Sequence, residues 1–401
     1  MRIALLHTRD AAESPTDPVL GQLSDSLNRL GHQVEPVEVD KRVEPLVIAL
    51  GRVDPDLVFN IAESFRGKSA LESNVAALLN LMGLRYTGSS PSGLMLAGDK
   101  ILAKKVLTFH GIRTPRFATS YRGALDWVED LQFPVIVKPP QEDASVGLTS
   151  GSVVRDLKQL LERMDALQSE FESPILVEEF VEGREFYVGV LGNANARALP
   201  VIELDFSKFP ADRPRMASWE AKWGDDEGGG AEFEGTASIF PENLPEDLIE
   251  RLDKAALDAF GALRLRDYAR IDFRVNDAGE VFVIEVNPNC YLERESEFAR
   301  SAARGGDGGG GRRGDATDQG PRLQLHEPLR GRVRAWGGPQ TRPTRRSTGG
   351  SAVPSLLQRR RTMPARKKGA RKSSRKSTRK STRKKGGARK KATRKRSRRK
   401  M

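Results

Sequence analysis

Segregation of charge restricts the fold of this chain more than any other feature. From Arg359 to Met401 there are 24 Lys/Arg residues, in pairs and triplets spaced by Ser, Thr, Gly and Ala, and no Asp or Glu. Such a segment has almost nothing apolar to bury and repels itself, so it builds no core and is expected to stay disordered. The stretch before it adds little. Residues 305–311 are nearly all glycine, and 312–358 are rich in Gly, Arg, Pro and Thr without periodicity. The folded body is therefore expected within residues 1–304. The whole chain of 401 residues carries 67 Lys/Arg against 54 Asp/Glu, a net +13. Without the tail, 43 basic residues face 54 acidic ones, a net of −11. The basic character belongs to the tail, and the body is acidic.

Composition removes several classes of function. A single cysteine, Cys290, permits no intrachain disulfide and no cysteine metal cage; its expected role is packing. His7, His32, His110 and His326 fall in no metal-ligand spacing. The apolar start, Ile3 to Leu6, turns polar at His7, too soon for a signal peptide. No apolar run approaches the length of a membrane helix. The expectation is a soluble, cytoplasmic protein with no membrane partner.

The first part of the body alternates strands and helices. Ile3–His7, Val34–Val39 and Asp56–Ile61 read as strands, and Leu20–Leu30 and Ser69–Met82 as helices, each closed by a glycine. This order predicts a parallel sheet with helices on its faces. After a helix over 96–110, strands dominate: 116–120, 135–138, 151–155, 175–180, 185–191 and 198–205. Helices are expected over 124–131, 156–169 and 246–263. Residues 268–275 and 280–286 form a predicted hairpin about Asn276-Asp277-Ala278-Gly279.

The chemistry concentrates on that hairpin. Strand alternation puts Arg270 and Asp272 on one face, and Glu285 and Asn287 on one face of the partner strand. Ile271, Phe273, Ile284 and Val286 are expected on the opposite face. Two carboxylates and an amide oxygen form a hard-oxygen set suited to Mg²⁺, and Arg270 beside them can neutralise a developing negative charge. A second signal is Lys138 at the end of a buried strand, followed by the small loop Ala144-Ser145-Val146-Gly147; a lysine and loop amides can grip phosphate. A third is Val177 to Glu185, an extended segment able to offer backbone groups to a base edge. Read singly, the second is more often just a solvated strand end, and the third reads first as a charged edge strand.

Taken in order, the three signals resemble the ATP-grasp superfamily and, within it, the D-alanine–D-alanine ligases. The resemblance spans roughly residues 1–306 and includes Tyr86-Thr87-Gly88-Ser89 and Asp99-Lys100. It implies a mixed α/β and α+β architecture: a Rossmann-like parallel-sheet domain over 1–95, ATP-grasp subdomains over 96–190 and 191–304 enclosing ATP, and a disordered tail over 305–401. It also implies roles. Lys100 and Lys138 would hold ATP phosphates, and Ser145 and Gly147 would lie on the loop over them. Glu178, Glu179 and Val181 would form the adenine strand, and Glu185 would hold the ribose. Lys222, in Trp219-Glu220-Ala221-Lys222-Trp223, would approach the γ-phosphate. Asp272, Glu285 and Asn287 would bind two Mg²⁺ ions, with Mn²⁺ as a substitute, and Arg270 would stabilise an acyl phosphate.

The resemblance breaks where the family recognises its first amino acid. Thr8 to Pro15 replaces a Gly-Gly-x-Ser segment, and Asn60 to Ser64 replaces a His-Gly segment. Ala144, Trp223 and Tyr291 stand where the family has Ser, Tyr and Gly. ATP chemistry is kept while substrate recognition is rewritten. The expected activity is an ATP-dependent carboxylate–amine ligase acting on amino acids or peptides, and a homodimer is compatible with it. A different class of reading gives the protein a nucleic-acid partner through the histone-like tail, residues 359–401, bound by charge alone.

Overall fold

A computed structural model describes residues 1–8, 17–121, 124–126, 131–141, 145, 147–171, 174–218, 221 and 235–306. Residues 307–401 of the expected tail and Lys222 lie outside these residues.

The first sheet is parallel, as the alternation predicts. β1 (Arg2–His7) lies between β2 (Gln33–Glu38) and β3 (Leu57–Ile61). Ile3 to Leu6 are buried without interruption, as expected of a strand covered on both faces. Between β1 and β2, α1 (Pro18–Arg29) begins at Asp17, whose side chain accepts from the Val19 amide, with Pro18 in the first turn. A helix absent from the sequence reading, α2 (Val43–Val53), joins β2 to β3. Pro45 is tolerated in its first turn. Exposed Val43, Val47 and Ile48 blur the periodic stripe of buried Leu46, Leu50 and Val53. A single 3-10 turn then leads into α3 (Glu72–Leu81).

The one helix expected over 96–110 is two, α4 (Pro91–Ala97) and α5 (Lys100–Phe109). Asp99 divides them by capping α5, accepting from the amides of Ile101 and Leu102 at 3.0 Å each. The second sheet has the order β5-β4-β8-β6-β7. Its members are β4 (Phe117–Tyr121), β5 (Ala124–Asp126), β6 (Val135–Lys138), β7 (Val153–Val154) and β8 (Ile175–Glu179). Residues 124–126 are therefore strand, where a helix over 124–131 was expected; pairing with β4 overrides local preference. β7 is shorter than its expected span, because residues 150–152 form a 3-10 turn. α6 (Leu157–Glu170) packs Leu160, Met164 and Leu167 against Val135, Val137 and Val177.

The third sheet is built on β9 (Arg184–Gly192), which pairs β10 (Arg197–Ala198), β11 (Ile202–Asp205) and, after an intervening segment, β13 (Asp267–Val275). The expected strand 198–205 is split at Leu199–Val201, where Pro200 cannot donate to a ladder. β12 (Ala237–Ile239) extends β11, and β14 (Val281–Asn287) pairs β13. α7 (Glu246–Ala262) sets Leu252, Ala256, Ala259 and Phe260 against Phe186, Val188, Ile271 and Phe273.

A final helix, α8 (Glu297–Gly306), was not anticipated. The apparent collapse of pattern at Gly305 is corrected by this helix. Gly305 sits so close to Pro200 that a Cβ would meet it at 2.9 Å, and Arg197 donates to the Gly305 carbonyl at 3.1 Å. Phe298 and Ala302 of α8 join Ile3, Leu5, Leu23, Leu27 and Tyr268 in one core cluster. That cluster binds the first sheet to the third.

Candidate active site

Strand register creates the site. On β6, Ile136 and Lys138 face away from the core residues Val135 and Val137, and Ile136 stands opposite Glu178 of β8. On the third sheet, β13 is flanked on both sides. Asp272 is opposite Tyr187 and Glu285, and Arg270 is opposite Gly189 and Asn287. Arg274 is opposite Glu185. Residues opposite one another share a face, so the quartet Arg270, Asp272, Glu285 and Asn287 lies together as the sequence predicts. Lys100, Lys138, Ser145, Glu178, Glu179, Val181, Glu185, Asp272 and Glu285 all line one cleft.

One element of the hairpin is corrected. The register shifts between Asp272 and Phe273, so Asp272 opposes Glu285 while Phe273 opposes Val283. Ile284 is the extra residue. A bulge turns its side chain from the buried face to the cleft, beside Glu285. Val283 and Val286 remain in the core, and Ile284 joins Ile136, Phe180 and Met216 as apolar lining. Ile136 and Ile284 escaped the sequence reading because apolar residues in strands read as core.

The basic and acidic groups of the cleft are paired. Lys100, the first residue of α5 after the Asp99 cap, reaches Glu285 at 2.8 Å. Glu178, 2% exposed, is gripped by Lys138 and by Lys104, the latter at 2.5 Å. Its carboxylate is thus an ionic link between two lysines rather than a plain member of an extended edge. Burial by itself would raise the Glu178 carboxyl, but Lys104 and Lys138 outweigh it and hold it below the ordinary value. Lys104 also donates to Thr114 at 2.8 Å. Burial pushes its ammonium down to about 8, against the attraction of Glu178. The sequence gives Lys104 no motif; only its placement on the inner face of α5 reveals it.

Glu185 is 3% exposed, accepts from the Tyr187 hydroxyl at 2.9 Å, and lies 3.5 Å from the Arg274 guanidinium. Arg274, also overlooked in the sequence, donates to the Gly183 carbonyl at 3.0 Å and to the Arg215 carbonyl, and stacks over Phe180. Ser145 adopts a positive φ of 64° and donates to the Ala217 carbonyl at 2.8 Å, tying the small loop to the third sheet's side of the cleft. Gly147 stands behind the lining. Its φ is 70°, and a Cβ there would meet Phe171 at 3.1 Å and Pro139 at 3.2 Å.

Arg270 and Asn287 do not line the cleft themselves; they hold Asp272. Arg270 donates to both Asp272 oxygens, at 2.8 and 2.9 Å, and Asn287 donates to one at 3.1 Å. Arg270 stacks over Tyr187 at 4.8 Å. Burial disfavours the charged guanidinium, but Asp272 and Glu297 prevail and raise its pKa well above the ordinary arginine value. No cluster of three or more His, Cys, Asp or Glu capable of holding a metal occurs among the described residues. The donor set here is two carboxylates and an amide on one face, each carboxylate already engaged by a cationic side chain. That chemistry fits a hard divalent cation.

Near Asn289 the first and third sheets meet through hydrogen bonds. Asn289 donates to Glu72 at 2.8 Å and to the Ala62 carbonyl at 3.1 Å, and accepts from Tyr268 at 3.1 Å. Tyr291 donates to Asp17 at 2.7 Å. Burial pushes the Cys290 thiol up to about 12, consistent with packing.

The fold is shared with D-alanine–D-alanine ligase from Bacillus anthracis complexed with ATP, at a TM-score of 0.59 and 24% identity over 76% of this chain and 92% of that one. The D-Ala:D-Ser ligase VanG of Enterococcus faecalis gives a TM-score of 0.57 at 18% identity. Both likenesses show the ATP-grasp architecture. The family model for the D-Ala–D-Ala ligase C-terminus matches residues 105–307. D-alanine–D-alanine ligase from Aquifex aeolicus is 32% identical over 291 residues, covering 72% of this chain and 89% of that protein. An uncharacterized protein of Sinorhizobium fredii is 32% identical over 295 residues, covering 71% and 83%. The chain belongs to the D-alanine–D-alanine ligase family and is an ATP-dependent carboxylate–amine ligase. No helix among the described residues is long and apolar enough to cross a membrane. Lys222, and the tail with its nucleic-acid expectation, lie outside the described residues.

Proposed function

We propose that the protein activates the carboxylate of one amino acid or peptide-like substrate as an acyl phosphate and joins it to the amine of a second. The observation that carries this reading is the register of the hairpin. It sets Asp272 against Glu285 at the wall of a cleft shared with Lys100 and Lys138, with Arg270 and Asn287 paired beside them and holding Asp272.

In this reading the adenine lies among Ile136, Phe180, Met216 and Ile284, along the backbone of Glu179 to Val181. Glu185 accepts from the ribose hydroxyls. Lys100, Lys138 and Lys222 hold phosphate oxygens, with Ser145 and Gly147 in the covering loop. Asp272, Glu285 and Asn287 hold Mg²⁺, which supplies charge neutralisation at the phosphates when bound. The substrate carboxylate oxygen attacks the γ-phosphorus, the bond to the bridging oxygen breaks, and ADP leaves. Arg270 stabilises the negative charge of the resulting acyl phosphate. The second substrate's amine attacks the acyl carbon, phosphate departs with the C–O bond electrons, and the nitrogen releases a proton. Exclusion of water by the covering loop protects the acyl phosphate from hydrolysis.

The altered residues around the first-substrate site, including Tyr291 with its bond to Asp17, support a substrate other than D-alanine. The test is phosphate release from ATP across D-alanine, other amino acids and dipeptides. Glu285→Gln is expected to lower turnover by about 10²-fold or more while leaving the fold intact. An active Glu285→Gln enzyme refutes the assignment.

A further inference from the structure

We infer that Glu297, the first residue of α8, is a positioning residue for Arg270; the inference rests on the role proposed for Arg270 above. The Glu297 carboxylate accepts from Arg270 Nη1 at 3.2 Å, the one terminal nitrogen that Asp272 does not engage. Its other oxygen accepts from the Ser238 hydroxyl of β12 at 2.9 Å. Arg300, one turn along α8, donates to the Ser238 carbonyl at 2.9 Å. The carboxylate is therefore fixed from both sides and only partly exposed.

The fold makes room for this contact. Gly189 of β9 stands opposite Arg270 and has no side chain to intervene. A Cβ there would meet Leu199 at 2.8 Å and Phe298 at 3.1 Å, so the glycine permits the close approach of α8 that brings Glu297 to the guanidinium. Tyr187 closes the remaining face of Arg270.

A physical reason for a second carboxylate follows from the hydrogen bonds of the first. Asp272 spends both oxygens on Arg270 and also accepts from Asn287. A carboxylate so engaged must free an oxygen before it can bind a cation. Glu297 keeps hold of the guanidinium through Nη1, so that Asp272 can turn an oxygen toward the cleft without releasing Arg270. The planar fork of arginine suits two carboxylates at once.

The first experiment needs no substrate. Arginine side-chain ¹⁵N–¹H spectra of the nucleotide-free full chain, with Arg270 assigned by Arg270→Lys, report rotation of the guanidinium. Wild type is expected to show resolved Arg270 Nη signals from restricted rotation. Glu297→Ala should average them, and Glu297→Gln, which keeps an acceptor, should leave them largely resolved. Unchanged Arg270 signals in Glu297→Ala overturn the proposal. If the alanine variant does not fold, averaged signals in wild type itself do so.

The second experiment uses whichever substrate mixture supports turnover by wild type. Glu297→Ala should lower kcat on the order of tenfold to a hundredfold, as misplacement of a catalytic group does, with the ATP KM within about twofold. Glu297→Gln should recover most of the loss. Equal kcat in wild type and Glu297→Ala refutes the positioning role. Failure of the whole substrate panel bears on the proposed function alone, because the spectra still decide this inference.

Discussion

Replacing Glu178 by Gln removes the charge of the most buried carboxylate in the cleft while keeping its size. In wild type that carboxylate is shared by Lys104 and Lys138, and the three side chains are almost wholly enclosed. Breaking a buried ion pair by neutralising one partner typically costs about 3–5 kcal/mol. For a body of roughly 300 residues, at about 2 cal/mol/K of unfolding entropy per residue, that is a fall in Tm of about 5–8 °C. The pH dependence sharpens the test. Lys104 stands at about 8 when folded, below its ordinary 10.5. The folded state then binds fewer protons than the unfolded one between those values, so the penalty is complete below pH 8 and relieved as pH rises toward 10.5. Removing the Glu178 charge lets Lys104 release its proton at still lower pH. Above pH 8 both proteins hold Lys104 neutral, and its share of the difference disappears. Thermal unfolding of both proteins at pH 7 and pH 9 measures this: the gap should be wide at pH 7 and narrower at pH 9. A Glu178→Gln protein melting within about 1 °C of wild type at pH 7 refutes the reasoning.

Two further predictions concern the frame around the site. Burial raises Asp253 of α7 to about 6, and one of its oxygens has no hydrogen-bond partner; its contribution is most favourable below the unfolded value of 3.8 and is lost as pH rises through 6. Asp253→Asn should therefore stabilise at pH 7.5 by about 1 kcal/mol or less, since the half-buried group is screened, and should give no gain at pH 4; a gain at pH 4 as large as at pH 7.5 contradicts this in calorimetry. Gly183→Ala places a Cβ 2.1 Å from the Val275 carbonyl oxygen at a φ of 136°, and chemical denaturation should show a loss of about 3 kcal/mol or more; wild-type stability would remove the argument for a steric requirement.

Much of the site was legible because strands impose a period of two. Arg270, Asp272, Glu285 and Asn287 could be placed on one face from spacing and a turn signal, and the register agrees. Ile284 could not. A bulge adds one residue to one strand, and no local pattern announces it, since its cause is the pairing of both strands. Lys104 and Glu297 were invisible for a related reason. Each lies on a helix whose own sequence gives no hint of the carboxylate or guanidinium it meets, and each partner is far away in the chain.

Local chemistry in the sequence was enough to establish an acidic, mixed α/β body and a carboxylate–amide set beside an arginine. Charge, apolar periodicity and strand alternation are properties of neighbouring residues, so they can be read along the chain. Tertiary structure alone decided that residues 124–126 are strand, that α8 completes the body, and that Glu178 sits between two lysines. Those outcomes depend on partners brought close only by folding, where burial multiplies the strength of each charge and pairing outweighs the preference of any short segment.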